Sequence, residues 1–285
     1  MFSYETAFSR NIGWLTQNEQ HSLRQKRVAI AGMGGVGGFH LLTLARLGVE
    51  KFNIADLDSF ELANFNRQVG AGMASLERAK VDVLAEMARD INPEADIRIF
   101  SSGVNEQNLP EFFRDVDLYV DGLDFFAFDA RERVFDHCAR QGIPAITVAP
   151  LGMSAALLNF LPGGMRFEDY FQLAGRPELE KAVRFLVGLA PALLHRHYLA
   201  DKSRVDLKAK KGPSTVLACQ LCAGVAATEA LKILIGRGKV WAAPHGIQFD
   251  AFSNRLAHTW RPGGNRNPLN RLAIAIALKQ LGLAK

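Results

Sequence analysis

Cysteine is scarce in this chain of 285 residues, with only Cys138, Cys219 and Cys222 present. Three cysteines make no disulfide framework, so the chain is not a stapled secreted scaffold, and a reducing compartment suits it. Long apolar runs are lacking as well; none approaches the roughly 18–20 residues that a membrane helix needs. The first residues, MFSYETAFSRNIGW, do not have the basic-then-apolar order of a secretory signal. These absences lead us to expect a cytoplasmic protein with no membrane partner. Internal repeats, low-complexity tracts and a Pro/Gly/Ser linker are missing too. That excludes a solenoid and leaves one domain over residues 1–285, with a nucleotide-binding half to 150 and a more irregular half from 151.

Charge of one sign is only mildly in excess, 34 Lys and Arg against 29 Asp and Glu, for a net +5. Much of that excess lies in KSRVDLKAKKG (202–212) and in the tail after Trp260, where water, an acidic protein or nucleic acid could meet it. A hydrophobic content of 48% with a mean hydropathy of +0.01 excludes disorder and is ordinary for a folded chain.

What the chain does have is glycine concentrated in one place. Val28–Ala31 is a short apolar run that gives way to Gly32, Gly34, Gly35, Gly37 and Gly38, after which Phe39, Leu41, Leu42, Leu44, Ala45 and Leu47 recur at helical spacing. A second strand then ends in Asp56 and Asp58. This is a βαβ unit whose backbone must bend sharply and bring N–H groups against phosphate oxygens, which residues without a Cβ permit at close range. An acid about 20 residues beyond the turn is placed to accept hydrogen bonds from a ribose. The pattern Gly32-Met33-Gly34-Gly35-Val36-Gly37 fits a dinucleotide and ATP equally well.

Strands and helices continue to alternate as far as Val148, which predicts a Rossmann-like, doubly wound α/β fold with a mostly parallel sheet. After Asp58 comes the polar loop SFELANFNRQVGAG, at the edge where open α/β sheets bind ligands; it places Arg67 to meet a phosphate. Ser75 to Asp90 reads as a helix with Ser75 as N-cap, and Lys80 falls in its first turns, where a cation opposes the helix dipole unless an anion accompanies it. Asp124 follows the strand Val116–Asp121, where an acid would suit a metal ion bound to phosphates. In the second half, Ser154–Leu161 predicts a strand with antiparallel pairing, Pro177 to Asp201 a helix, Thr215 to Ile235 a long apolar helix, and Leu269 to Leu283 a final helix. Cys219 and Cys222 lie inside the long apolar helix and read as core residues, not as half of a zinc site, which needs four ligands.

Taken together, the glycine turn, the acids of ADLD, the NFNRQ loop, Lys80 and Asp124 resemble the adenylating family of ubiquitin-activating enzymes and their bacterial relatives, ThiF and MoeB. The order and spacing of five elements match over residues 8–150, and the helix TEALKILIG extends the match. The resemblance implies ATP and Mg²⁺ as cofactors, with Gly32, Gly34, Gly35, Gly37 and Asp56 around the nucleotide and Asp58 nearby. It assigns phosphate handling to Asn64, Arg67, Gln68 and Lys80, and catalytic magnesium to Asp124. Arg10 resembles the arginine that the family extends to the γ-phosphate from a neighbouring subunit, which implies a homodimer. The implied partner is a small ubiquitin-like or sulfur-carrier protein whose C-terminal carboxylate is adenylated.

Two departures matter. Asp124 is followed by Phe125 where many relatives have Asn, and the loop before Arg131 is longer by a couple of residues. No cysteine lies between Val148 and Ser214, so a thioester or persulfide step in that region is not expected. Relatives that dehydrate a threonylcarbamoyl adenosine on tRNA use the same carboxylate adenylation. With the NFNRQ loop and the basic stretches they form a second reading, ranked lower because the charge is not concentrated. A catalytically inactive nucleotide-binding scaffold and a nicotinamide oxidoreductase are the remaining alternatives. Neither has use for Arg10, Arg67, Lys80 and Asp124 together.

Overall fold

The computed structural model describes residues 1–282. Eight strands form one sheet in the order β3-β2-β1-β4-β5-β6-β7-β8. They are β1 (Arg27–Ala31), β2 (Lys51–Ala55), β3 (Asp96–Phe100), β4 (Leu118–Asp121), β5 (Ala145–Leu151), β6 (Ser154–Phe160), β7 (His245–Asp250) and β8 (Arg255–Trp260). β3 through β5 pair in parallel, and the β5–β6, β6–β7 and β7–β8 pairs are antiparallel. The expected architecture, parallel first and antiparallel in the second half, is what the chain adopts. Strand order reverses between β1 and β4, and the carboxyl ends of strands at such a switch point are where open α/β sheets bind ligands.

Helices cover both faces. Preceding β1 are α1 (Tyr4–Ala7) and α2 (Gln17–Gln25), the latter started by a capping box in which Thr16 and Glu19 satisfy each other's backbone N–H. On one face α3 (Gly37–Arg46) and α4 (Lys80–Ile91) build an aliphatic layer with Val28, Ile30, Leu41, Phe52 and Leu84. On the other, α5 (Leu109–Phe112), α6 (Phe128–Gln141), α7 (Phe167–Phe171) and α8 (Glu178–Leu189) enclose an aromatic layer of Tyr119, Phe128, Phe135, Phe160, Phe167, Tyr170, Phe171 and Phe185. Each such ring is worth about 1.5–3 kcal/mol when fully buried. Finally α9 (Val216–Ile235) lies with the aliphatic layer, and α10 (Pro268–Gln280) packs Ile274 against Val183 and Val187 of α8.

Several expectations need correction. The helix predicted from Ser75 begins at Lys80. Residues 59–60 bridge to 76 and 79, Glu77 takes a positive φ of 64°, and Ser75 Oγ closes the Gly70–Gly72 turn, so the intervening chain cannot be helical. The helix predicted to run to Asp201 stops at Leu189, ahead of Pro191, and a short 3-10 turn follows at Leu194–Tyr198. β8 had no counterpart among the predicted elements. The apolar content of α9 was underrated: it is long and apolar enough to cross a membrane, with a mean hydropathy of 1.5, yet half of it is buried within this fold, where Cys219, Cys222, Ala226 and Ala230 join the aliphatic core. The last helix ends at Gln280, and its expected end at Leu283 lies outside the described residues.

Candidate active site

The glycine turn leaves β1 at Ala31 and enters α3 at Gly37. Its geometry tolerates no side chain at two positions. A Cβ on Gly32, whose φ is +87°, would overlap the Gly122 carbonyl beyond β4 and lie 2.7 Å from the Leu123 nitrogen. One on Gly37 would run into the Gly32 carbonyl. Backbone therefore packs directly on backbone where the β1 and β4 loops meet. Gly34 is different: an added Cβ would meet only Gln68 at 3.7 Å, an ordinary contact. A Cβ added to Gly35 would lie 3.2 Å from Cys219 Sγ of α9.

Asp56, just past β2, holds this turn. Its Oδ2 accepts from the Met33 N–H at 2.5 Å and its Oδ1 from the Asp58 N–H at 2.8 Å. Asp58, expected near the nucleotide, accepts from Lys80 Nζ at 2.9 Å. Lys80 is the first residue of α4 and its side chain is only 7% exposed, so the anion that a cation needs at that helix end is Asp58. A continuous network thus runs from the glycine turn through both acids to a buried lysine.

The NFNRQ loop lies against the same turn. Asn64 closes its own 3-10 turn by accepting from the Glu61 N–H at 3.0 Å. Gln68 is 8% exposed and its Oε1 is buried with no hydrogen-bond partner. Arg67 Nη1 donates to the Ala63 carbonyl at 2.7 Å and to Asn66 Oδ1 at 2.9 Å, and Asn66 ties the loop to the Ser214 carbonyl ahead of α9 at 3.0 Å. Asp124 stands on the loop after β4, exposed, with Oδ1 accepting from the Phe126 N–H at 2.9 Å; among the described residues nothing donates to its Oδ2.

Arg10 is not brought into this assembly. It sits exposed on the Ser9–Asn11 turn, and its segment hangs from the far end of α3: Tyr4 Oη donates to the Gly48 carbonyl at 2.6 Å and Asn11 Nδ2 to the Leu47 carbonyl at 3.1 Å. The length of α3, about 15 Å, separates that end from the glycine turn. Cys219 and Cys222 are core residues, as expected; burial pushes the Cys219 thiol up to about 11 and the Cys222 thiol well above its ordinary value. Among the described residues no three His, Cys, Asp or Glu side chains converge on a metal position.

Sequence reasoning passed over one part of the site. Asp121, the last residue of β4, accepts from Arg131 Nε at 2.8 Å and from Thr147 Oγ1 at 2.9 Å, all within the core. Its acidity, directly before Gly122, was the available signal.

A glycine turn at a sheet's reversal point, with an acid on its backbone and a buried lysine beside it, defines a Rossmann-type nucleotide-binding protein. The family model described as the ThiF family matches residues 8–271, and the chain belongs to that family. It is 30% identical over 141 residues to a tRNA threonylcarbamoyladenosine dehydratase of Bacillus subtilis, covering 49% of this chain and 55% of that protein. It is 27% identical over 225 residues to a probable adenylyltransferase/sulfurtransferase, MoeZ, of Mycobacterium tuberculosis, covering 77% of this chain and 50% of the other. Among solved structures, Escherichia coli MccB with ATP matches the fold with a TM-score of 0.65 at 18% identity, over 89% of this chain and 70% of that one. The chain spans about half the length of the curated relatives it matches.

Proposed function

We propose that this protein is an ATP-dependent adenylyltransferase that activates a carboxylate, the C-terminus of a small ubiquitin-like or sulfur-carrier protein. The observation that carries the reading is the network Met33 N–H, Asp56, Asp58, Lys80. It ties a buried ammonium to the glycine turn through two acids, where a nicotinamide cofactor has no need of it. ATP fits the residues present: Gly34 leaves open room, and the orphaned Gln68 acceptor lacks a donor that a nucleotide could supply. Magnesium fits as well, since it binds through one or two carboxylates plus phosphates, and Asp124 offers an unengaged oxygen.

In the reaction a carboxylate oxygen forms a bond to the α-phosphorus while the bond to the bridging oxygen breaks and pyrophosphate leaves. An anion approaches an anion, so the task is positioning and charge neutralisation, with no general base needed. The turn's N–H groups would cradle phosphate oxygens; Lys80 and Arg67 would offset the charge that collects as the bonds exchange. Mg²⁺, when bound at Asp124, would supply further neutralisation of the phosphates. Arg10, at the wrong end of α3 for its own site, would serve a second copy, which makes the active unit a homodimer. ATP–pyrophosphate exchange with Gly-Gly-ended carrier proteins tests the reading; exchange that requires both carrier and Asp124 supports it.

One observation keeps a second reading. Lys202, Arg204, Lys208, Lys210 and Lys211 are exposed together, and the Bacillus subtilis relative is named for a tRNA substrate. If exchange responds to tRNA bearing threonylcarbamoyl adenosine and not to carriers, the activated carboxylate is on the nucleic acid.

A further inference from the structure

We propose that Arg131 is the positioning residue that sets Asp124 for its metal, an inference that rests on the adenylyltransferase reading above. Arg131 is on α6, 2% exposed, and every nitrogen of its guanidinium is engaged. Nε donates to Asp121 Oδ2 at 2.8 Å, Nη2 to the carbonyls of Leu123 at 2.7 Å and Asp124 at 2.9 Å, and Nη1 to the Phe125 carbonyl at 3.3 Å. Three successive carbonyls of the loop that carries Asp124 are thus gathered onto one planar cation, which is in turn fixed to the end of β4.

The surroundings lock the cation itself. Its plane lies over the Phe185 ring at 4.6 Å, and Phe125 packs on the same ring at 5.3 Å. Phe125, where many relatives have Asn, is thus half-buried against Phe185 of α8, and the loop's carbonyls are held by Arg131. The main chain of Asp124 is held by Arg131 and its Oδ1 by Phe126 N–H, which leaves Oδ2 as the oxygen free for a metal ion. A lysine in place of Arg131 keeps the charge but cannot serve three carbonyls and a carboxylate at once.

Titrating the full-length protein with ATP in an isothermal calorimeter, in EDTA and across a Mg²⁺ series, tests this without any turnover. Arg131→Lys should leave ATP affinity in EDTA unchanged and raise the half-effective Mg²⁺ concentration on the order of 10-fold, as loss of a positioning residue around a metal ligand does. The double variant with Asp124→Asn should be no weaker than Asp124→Asn alone. A purely structural role would lower affinity in EDTA equally, or add fully to Asp124→Asn, and either result overturns the proposal. Should Arg131→Lys fail to fold, Phe185→Leu keeps the ion pair while removing the ring, and should shift the Mg²⁺ dependence in the same direction by less; no shift there also overturns it. Wild-type binding that ignores both Mg²⁺ and Asp124→Asn removes the metal role of Asp124 itself, a separate failure that takes the proposal with it.

Discussion

A methyl group placed on Gly34, rather than on Gly32 or Gly37, separates the two jobs that the glycine turn performs. Gly32→Ala puts a Cβ into the Gly122 carbonyl at a φ of +87°, and Gly37→Ala puts one into the Gly32 carbonyl; in both, rigid backbone must give way. A left-handed conformation costs an L-residue about 1–2 kcal/mol and overpacking a further 1–3 kcal/mol, so Gly32→Ala should lose roughly 2–5 kcal/mol of folding stability. Gly34→Ala meets only the end of Gln68 at 3.7 Å with no conformational penalty, and should stay within about 0.5 kcal/mol of wild type. Its methyl nevertheless occupies the space into which phosphate oxygens must come to reach the N–H groups, so ATP affinity should fall on the order of 10-fold, about 1.4 kcal/mol. Urea unfolding and calorimetric ATP titration of the variants measure the two effects independently. A Gly34→Ala protein that binds ATP as wild type does, or a Gly32→Ala protein of undiminished stability, would refute this division of roles.

Other outcomes follow from the same geometry. Lys80→Met should lower ATP–pyrophosphate exchange by roughly 10²–10³-fold, the usual effect of removing one charge-stabilising donor. Its partner Asp58 is 57% exposed, so stability measured by urea unfolding should barely move. His40 is fully buried with neither ring nitrogen hydrogen-bonded, and burial lowers its pKa from 6.5 to about 4. The folded state then binds fewer protons than the unfolded chain between those values, so stability is full above about pH 6.5 and is lost as pH falls; linkage puts the loss at ~2 kcal/mol between pH 8 and pH 5. Urea midpoints of His40→Leu across that range should lack this component, and an unchanged pH slope would count against it. Arg10→Ala and Asp124→Ala should each abolish exchange. Mixing them should restore about a quarter of the wild-type rate, since half the dimers are mixed and each carries one intact site; no recovery would place Arg10 outside the neighbouring site.

The first half was legible because its cues are local. Alternating apolar runs, a glycine turn and an acid at the right remove determine a βαβ unit without knowledge of what packs on it, and β1, α3 and β2 fall where the pattern put them. β8 was not legible because its side chains at Leu256, His258 and Trp260 point to solvent, so no buried face imposed an apolar alternation. The end of α8 was misjudged through Leu193 and Leu194, which continue the helical spacing although Pro191 cannot continue the helix. In the site, Lys80 and Asp56 could be named but not joined, since Asp58 links them only after β2 and α4 are packed together. Arg131 could be read only as the end of the longer loop, because its partners are mostly carbonyls, which every residue has, and only tertiary packing selects three of them. Arg10 could be named as a candidate through resemblance alone, because its own chain keeps it at the opposite end of α3 from the glycine turn.

The most direct test is ATP–pyrophosphate exchange by the purified protein in the presence of Mg²⁺ and a Gly-Gly-ended carrier. Incorporation of labelled pyrophosphate into ATP that needs the carrier's terminal carboxylate, and that disappears with Asp124→Ala, is the predicted result. Absence of exchange with every carrier and with threonylcarbamoylated tRNA, from protein that binds ATP normally, would contradict carboxylate adenylation at this site.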